Sequence, residues 1–297
     1  MSNSNQQPPT DAMTYFVGAD VSKLYNAVRP TLSPALVNRV LAHLAQSLPQ
    51  RAWSLVLDVA CGTGLSTVPY LNALPSSVAV HGLDISDSQI GEAKLLSERF
   101  PNAHFRVHNV DGGMPFESNS VDLIAVTQAA HWVTLSSLFR EAERTLKPGG
   151  VLAIAWYPLP RVIVPGAAQS TNERINRYIA QLNDDLFDEN CWASERRLVS
   201  HYKEHPIKLP FKDKLELWDD ESIHYKKDSS VRDFMCLFES WSGVRMYRQK
   251  HPDPNDAVLM QRFYENVYME LKPLTDNDTV TQVFPYILLM GRKTNGA

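Results

Sequence analysis

The sequence contains few cysteines, and none of them is arranged as a structural pair. Cys61, Cys191 and Cys236 are the only 3 cysteines among 297 residues, and their wide separation matches neither a metal-binding pattern nor a disulfide framework. Cysteines spaced in this way are typical of proteins from reducing compartments. We therefore expect a cytoplasmic protein that holds no metal ion.

An excess of charge and long apolar runs are also lacking. The formal net charge of −4 provides no basic surface for nucleic acid, and no apolar run approaches the length that crosses a membrane. Residues 1–12 are polar and contain proline, without the basic start or apolar core of a signal peptide, so we expect a disordered tail there. These absences argue against nucleic acid as a partner and against membrane insertion.

What is present is a regular alternation of two kinds of segment. Short apolar runs typical of strands buried on both faces occur in LVLDVA, SVAVHGLDIS, AHFRVHNV, SVDLIAVTQA and VLAIAWY. Segments with helical periodicity separate them, and the sequence predicts Asp87 and Thr134 as the caps of two of these helices. Strands that alternate with helices predict an α/β fold with a parallel sheet and right-handed crossovers.

The alternation ends after Pro158, and the change of pattern divides the chain. We expect a strand in KLELWDDESIHY and a single closing strand in TVTQVFPYILLMGRK. The predicted regions are a disordered tail (1–12), an N-terminal helical lid (13–50), a cofactor-binding core (51–160), substrate-covering helices with one sheet strand (161–278), and a closing strand with a tail (279–297).

The turn after the first predicted strand, in LVLDVACGTG, is the first candidate binding feature. A phosphate-binding P-loop needs Gly-Lys-Ser/Thr, whereas Gly64 is followed by Leu65 and Ser66. A dinucleotide fingerprint needs a third glycine at the position of Thr67. The turn therefore disfavours both a nucleoside triphosphate site and an NAD-dependent oxidoreductase.

Two acidic residues narrow the choice of cofactor. Asp58 ends the first predicted strand, where its carboxylate can meet a cationic amino-acid group. Asp84 lies at the tip of the second predicted strand, where an acid can bind both hydroxyls of a ribose. A ligand with a ribose, a cationic tail and no phosphate is S-adenosylmethionine, which we predict as the cofactor.

The motifs LVLDVACGTG, HGLDIS, MPFESNSVDLI, TQAAHWV and EAERTLKPGGVLAIAWY together resemble those of class I S-adenosylmethionine-dependent methyltransferases. QAAHW, LYNAVRP, ESWSGVRMYRQKHP and FPYILLMGRK are similar to segments of the trans-aconitate methyltransferase-like group of small-molecule O-methyltransferases. The resemblance implies a Rossmann-like seven-stranded sheet with an N-terminal helical lid and a C-terminal substrate-covering insertion.

The same resemblance implies a set of cofactor-binding residues. They are Tyr25, Arg29, Asp58, Ala60, Gly62, Gly64, Asp84, Ile85, Asn109, Val110, Asp111, Thr127, Gln128 and Ala129. The turn NVDGGMPF is one residue longer than the family's turn, so which of Asn109, Val110 and Asp111 meets the adenine amine stays open.

Candidates for the methyl acceptor's side of the site are a histidine and several aromatic residues. His131 and Trp132 follow the fourth predicted strand, and we expect them to orient the acceptor, with general-base catalysis by His131 the less favoured role. Tyr15, Trp156 and Trp241 are the candidate walls of the acceptor pocket.

The sequence thus predicts a methyltransferase for a small molecule, with a carboxylate as the favoured acceptor because a carboxylate needs no base. A hydroxyl or nitrogen acceptor is the alternative within the same enzyme class. A cofactor-binding protein without catalysis is the alternative outside it.

Overall fold

The computed structural model describes residues 28–192, 196, 202, 206–253 and 258–294. Tyr15, Tyr25, the tail predicted over 1–12 and most of the lid segment before residue 28 lie outside the described residues.

Seven strands form the main sheet, in the order β3-β2-β1-β4-β5-β10-β7. The neighbours from β3 to β5 are parallel, and β10 runs antiparallel to both β5 and β7. This mixed sheet confirms the predicted α/β Rossmann-like fold. The strands are β1 (Leu55–Val59), β2 (Ala79–Asp84), β3 (Ala103–Val107), β4 (Val121–Thr127), β5 (Leu146–Trp156), β7 (Asp213–Leu217) and β10 (Ile287–Arg292).

Helices cover both faces of this sheet. They are α1 (Pro34–Ala45), α2 (Thr67–Ala73), α3 (Asp87–Lys94), α4 (Leu96–Arg99) and α5 (Leu135–Thr145). Because side chains alternate across a strand, Val56 packs in one apolar layer with Leu36 of α1. Leu57 packs in the opposite layer with Leu138 of α5. Burial on both faces explains why the strands are continuous apolar runs.

The C-terminal half adds a second, antiparallel sheet in the order β6-β9-β8. Its strands are β6 (Arg161–Ile163), β8 (Tyr225–Ser230) and β9 (Thr279–Phe284), and its helices are α6 (Gln169–Asp188), α7 (Val231–Glu239), α8 (Ser242–Lys250) and α9 (Val258–Leu271). These elements enclose a third apolar layer that contains Trp192, Phe238 and Trp241. Residues 161–278 therefore contribute β7 to the main sheet and two strands to the second.

The expectation of a single closing strand was wrong. The segment forms two strands, β9 in the second sheet and β10 in the main sheet, with Pro285 and Tyr286 between them. Proline lacks the N–H that a ladder requires, so the chain changes sheets at this point. The strand predicted in KLELWDDESIHY likewise ends at Leu217, and a 3₁₀ turn follows over Glu221–Ile223.

The two predicted helix caps also need correction. Ser86, rather than Asp87, caps α3, because the Ser86 hydroxyl accepts from the backbone N–H of Gln89 at 3.4 Å. Asp87 is the first helical residue, where its charge favours the helix N-terminus. Thr134 occupies the cap position of α5, but its hydroxyl makes no capping bond to that helix and instead donates to Asp111.

Among the residues that the structure describes, no helix combines the length and apolar character needed to cross a membrane.

Asp122 joins three strands, and its removal should cost stability. Its fully buried carboxylate accepts from the backbone N–H of Ser54 (2.6 Å) and of Leu55 (2.8 Å), and from Lys147 Nζ (2.7 Å). Asp122→Ala leaves these donors without an acceptor, so we expect the free energy of unfolding in urea to fall by about 3 kcal/mol. The control Asp188→Ala, at an exposed position on α6, should change it by less than about 0.5 kcal/mol. A loss below about 1 kcal/mol for Asp122→Ala would contradict this role.

Candidate functional site

One cavity of about 280 Å³ lies at the carboxyl ends of the parallel strands. Open α/β sheets bind ligands at this edge, beside the point where the strand order reverses, which here lies between β1 and β4. The described wall residues are Arg29, Pro30, Thr31, Leu32, Ala60, Cys61, Gly62, Thr63, Leu65, Ser66, Leu83, Asp84, Ile85, Ser86, Gln89, His108, Asn109, Val110, Asp111, Thr127, Gln128, Ala129, Trp132, Val133, Tyr157 and Tyr286.

The turn after β1 brings backbone close to the cavity. Gly62 has a φ of +57°, and a Cβ there would lie 2.5 Å from Oε1 of Gln89. Gly64 has a φ of +81°, and a Cβ there would lie 2.5 Å from Leu96 of α4. Gly62 thus leaves room at the cavity wall, whereas Gly64 allows the turn to pack on the helix layer.

Asp84 is held in place by backbone donors at the end of β2. Its Oδ2 accepts from the N–H of Gly62 and its Oδ1 from the N–H of Ser86, each at 2.8 Å. Burial raises the pKa of the Asp84 carboxyl, and these hydrogen bonds oppose that shift. These bonds fix the orientation of the carboxylate at the cavity wall. Its remaining lone pairs can accept hydrogen bonds from the two hydroxyls of a ribose.

Asp58 lies behind the turn and is 1% exposed. Its Oδ2 accepts from the hydroxyls of Ser66 (3.0 Å) and Thr67 (2.6 Å), but Oδ1 has no hydrogen-bond partner within the described part of the chain. Burial, opposed by these hydroxyls, raises the pKa of the Asp58 carboxyl to about 6. The unpaired oxygen places negative charge behind the turn rather than at the cavity wall, and its attraction for a cationic amino group of the cofactor stays a prediction.

The turn after β3 is anchored to the start of α5. The carboxylate of Asp111 accepts from the backbone N–H of Thr134 at 3.0 Å and from its hydroxyl at 3.2 Å. Asn109 Oδ1 in turn accepts from the N–H of Asp111 at 3.0 Å. Both residues and Val110 border the cavity, and the choice among them for the adenine amine stays a prediction.

Gln128 and Tyr157 close the wall at the ends of β4 and β5. Gln128 has a φ of +54°. Its amide donates to the C=O of Tyr157 and accepts from the N–H of the same residue, each at 3.2 Å. This side chain therefore extends the β4–β5 pairing by one residue. The Tyr157 hydroxyl accepts from Arg29 Nη1 at 3.1 Å, and Arg29 also donates to the hydroxyl and the C=O of Ser240 at 2.8 and 2.9 Å.

His131 lies behind this wall rather than in it. It is 5% exposed, its ring packs on Trp132 with 4.8 Å between centroids, and its Nδ1 lacks a partner among the described residues. Burial, together with the charges of Arg196 and Arg29, lowers the pKa of His131 well below its usual value. A ring that resists protonation this strongly is a poor general base.

The structure brings most of the predicted site residues together around the cavity. Those at its wall are Arg29, Ala60, Gly62, Asp84, Ile85, Asn109, Val110, Asp111, Thr127, Gln128, Ala129 and Trp132. Asp58, Gly64, His131, Trp156 and Trp241 are not among the wall residues.

Two of the predicted acceptor-pocket residues lie in apolar layers instead. Trp156 packs against Trp218, on the face of β5 opposite to that of Tyr157. Trp241 packs against Trp192, with 5.7 Å between ring centroids, in the third apolar layer. Adjacent residues of a strand face opposite sides, so the sequence pattern identified the right strand end but the wrong aromatic residue.

Several wall residues were not predicted from the sequence, among them Gln89, His108 and Tyr286. A signal was available for Gln89, because it lies in the first turn of the helix that follows Asp84. Tyr286 comes from the distant break between β9 and β10, and no local pattern connects it to the cavity.

Comparisons with known proteins agree with this geometry. Residues 57–154 match the model of a family described as a methyltransferase domain. A protein from Dictyostelium discoideum named as a candidate methyltransferase is 26% identical over 92% of this chain and 93% of its own. A malonyl-[acyl-carrier protein] O-methyltransferase from Dechloromonas aromatica is 31% identical over 46% of this chain and 50% of its own.

One further relative and one solved structure are also similar to this chain. A demethylmenaquinone methyltransferase from Tropheryma whipplei is 31% identical over 49% of this chain and 62% of its own. A solved structure described as a candidate type II methyltransferase from Anaeromyxobacter dehalogenans has a TM-score of 0.64 at 22% identity, covering 90% of this chain and 99% of that one. This last likeness shows the shared fold.

Asp84 should be necessary for cofactor binding. Asp84→Ala removes the charged acceptor at the ribose position, so we expect the Kd for S-adenosylhomocysteine in calorimetry to rise at least about a hundredfold. Asp87 is an exposed acidic residue three positions later, at the start of α3. Asp87→Ala therefore serves as the matched control and should leave Kd unchanged. Binding by Asp84→Ala at the wild-type affinity would remove Asp84 from the site.

Asp58 should lower the stability of the unliganded protein and raise its affinity for the cofactor. Its folded-state pKa of about 6 exceeds the ordinary 3.8, so its contribution makes the free energy of unfolding fall as pH rises from about 4 to about 6. Asp58→Asn lacks this slope, and the unliganded variant at pH 8 should be more stable than the wild type by about 3 kcal/mol. Urea unfolding at pH 4 and pH 8 measures the difference.

The same variant should bind S-adenosylhomocysteine more weakly, because the charge at Oδ1 is gone. Lower stability of Asp58→Asn at pH 8, or unchanged affinity, would show that Asp58 serves packing alone. Asp188→Asn provides the exposed control for both measurements.

Proposed function

We propose that this S-adenosylmethionine-dependent methyltransferase transfers the methyl group to a carboxylate of a small organic acid. The cofactor supplies an electrophilic methyl group on a sulfonium, and the chain's residues bind, orient and exclude water around the acceptor. The observation that carries the proposal is Arg29, a cavity-wall residue beside Tyr157, together with two further arginines close enough to act electrostatically on it or on His131.

Three guanidinium groups contribute to the positive charge around Arg29. Arg29 is a wall residue, and its charge and that of Arg196 both lower the pKa of His131. Arg245, one turn into α8, is half-buried, and its pKa is lowered by that burial and by the charge of Arg29. Positive charge gathered at a partly desolvated site raises the affinity for anions, which fits an acceptor that arrives as a carboxylate.

The acid–base groups nearby favour the same acceptor. His131 is held neutral with a low pKa, and Asp58 and Asp84 are engaged with the turn and the backbone. A hydroxyl acceptor needs a base of suitable pKa, whereas a carboxylate is already ionised at neutral pH. Orientation and exclusion of water by Trp132, Tyr157 and Tyr286 are then sufficient.

Other parts of the proposal rest on the sequence. We place the chain with the trans-aconitate methyltransferase-like group, in the cytoplasm, with residues 13–50 as lid and 161–278 as cover for the acceptor. The name of the relative that O-methylates a malonyl-[acyl-carrier protein] supports oxygen as the methylated atom. Methylation of a hydroxyl or nitrogen of a metabolite is the second candidate, since another relative is named for demethylmenaquinone.

A labelled-methyl screen tests the acceptor. Purified protein is incubated with methyl-labelled S-adenosylmethionine and mono-, di- and polycarboxylic acids, each matched with its alcohol and amine analogue. We expect label in a product that mild base hydrolyses to labelled methanol, as a methyl ester requires. Label found only in base-stable product would replace the carboxylate with the second candidate.

The arginine group should act on the acceptor more than on the cofactor. For the best acid in the screen, Arg245→Met should lower kcat/KM at least about tenfold, as loss of a charged contact does. The Kd for S-adenosylhomocysteine should stay within about threefold of wild type. Arg262→Met, which removes an exposed arginine paired with Asp185, is the control; an equal effect of both variants would contradict the proposal.

A further inference from the structure

Gln89 is a buried polar residue of the cavity wall without an assigned role. It lies in the first turn of α3, is 7% exposed, and borders the cavity. Its backbone N–H donates to the Ser86 hydroxyl that caps α3, and this hydrogen bond fixes the position of the main chain from which the side chain extends.

The side-chain amide of Gln89 has no protein partner in the part of the chain that the structure describes: Gln89 contributes only its backbone N–H to a hydrogen bond. The amide atoms are not enclosed by protein but open to the cavity that Gln89 borders. Native proteins pair nearly all polar groups in such a place with water or ligand. A wall residue of this kind therefore points to a ligand that completes its hydrogen bonds.

The amide of Gln89 and the carboxylate of Asp84 flank the same stretch of backbone. Oε1 of Gln89 lies 2.5 Å from where a Cβ on Gly62 would be, so the amide packs directly on that glycine. The N–H of Gly62 donates to Oδ2 of Asp84 at 2.8 Å. Gly62 thus brings both side chains to one end of the cavity.

The two groups are chemically complementary toward a ribose diol. Each ribose hydroxyl is both a donor and an acceptor, whereas the ionised Asp84 carboxylate can only accept. The amide of Gln89 supplies the N–H donor that the carboxylate lacks. We propose that the Gln89 side-chain amide is a second ribose-binding group, which acts with Asp84 to select a cofactor with an intact diol.

Calorimetry with truncated ligands tests this role. Gln89→Met keeps the length and burial of the side chain but removes the amide, and it is titrated with S-adenosylhomocysteine and with its 2′-deoxy and 3′-deoxy analogues. We expect the Kd for S-adenosylhomocysteine to rise about tenfold, the effect of one lost hydrogen bond at a buried group. For at least one deoxy analogue, Gln89→Met and wild type should bind within about twofold, because that ligand lacks the hydroxyl that Gln89 contacts.

Two controls separate this contact from a packing effect. Gln181→Met removes an amide that pairs with Asp185 on an exposed face of α6, and it should bind all three ligands as the wild type does. The melting temperature of unliganded Gln89→Met should equal or exceed that of wild type, since the substitution removes no hydrogen bond to another described residue.

An equal loss of affinity for all three ligands, or no loss for any, would overturn the proposal. No methyl acceptor is present in these titrations, so their outcome is independent of whether a carboxylate receives the methyl group.

Discussion

The hydrogen bond from the N–H of Gly62 to Asp84 is the interaction on which the geometry of the site depends. It joins the turn after β1 to the end of β2 at 2.8 Å. The bond places backbone where a side chain would collide with Gln89, and it turns the Asp84 carboxylate to a fixed direction. The positive φ of this residue therefore favours a glycine here, and a side chain would in addition displace the amide of Gln89.

Backbone strain is concentrated around the same cavity and is offset by specific contacts. Ala60 and Gln128 have φ values of +54°, which non-glycine residues adopt only when their surroundings hold them. The Gln128 amide bonds both backbone groups of Tyr157, and this pairing holds the strained residue in place. Tyr157 also accepts a hydrogen bond from Arg29, and Arg29 donates to Ser240 in the C-terminal half. A series of hydrogen bonds therefore links the strained Gln128 to the C-terminal half.

The sequence was sufficient to predict the sheet and to choose residues that lie at the cavity wall. Strands buried on both faces are continuous apolar runs, and the turn residues follow them directly. It could not decide which face of such a strand a residue occupies, so Trp156 was chosen where Tyr157 lines the cavity. The acceptor side was harder still. Tyr286 borders the cavity, and Ser240 contacts the wall residue Arg29. Both lie more than 80 residues along the chain from the turn after β1, so no local sequence pattern could place them at the site.

Thr67 shows why the choice of cofactor extends beyond the residues that border the cavity. A glycine at this position would allow the helix to approach a dinucleotide pyrophosphate, but it would also remove the hydroxyl that donates to Asp58 at 2.6 Å. With one carboxylate oxygen held by Thr67 and Ser66, the other is left buried without a partner in the described structure. On the opposite side of the turn, the amide of Gln89 has no hydrogen-bond partner among the described residues and is open to the cavity. An unpaired buried carboxylate oxygen costs stability in the free protein, and we expect a ligand with a cationic group to offset that cost. We therefore expect the selectivity for the cofactor to depend on the polar groups that the turn leaves unpaired as much as on those that it pairs.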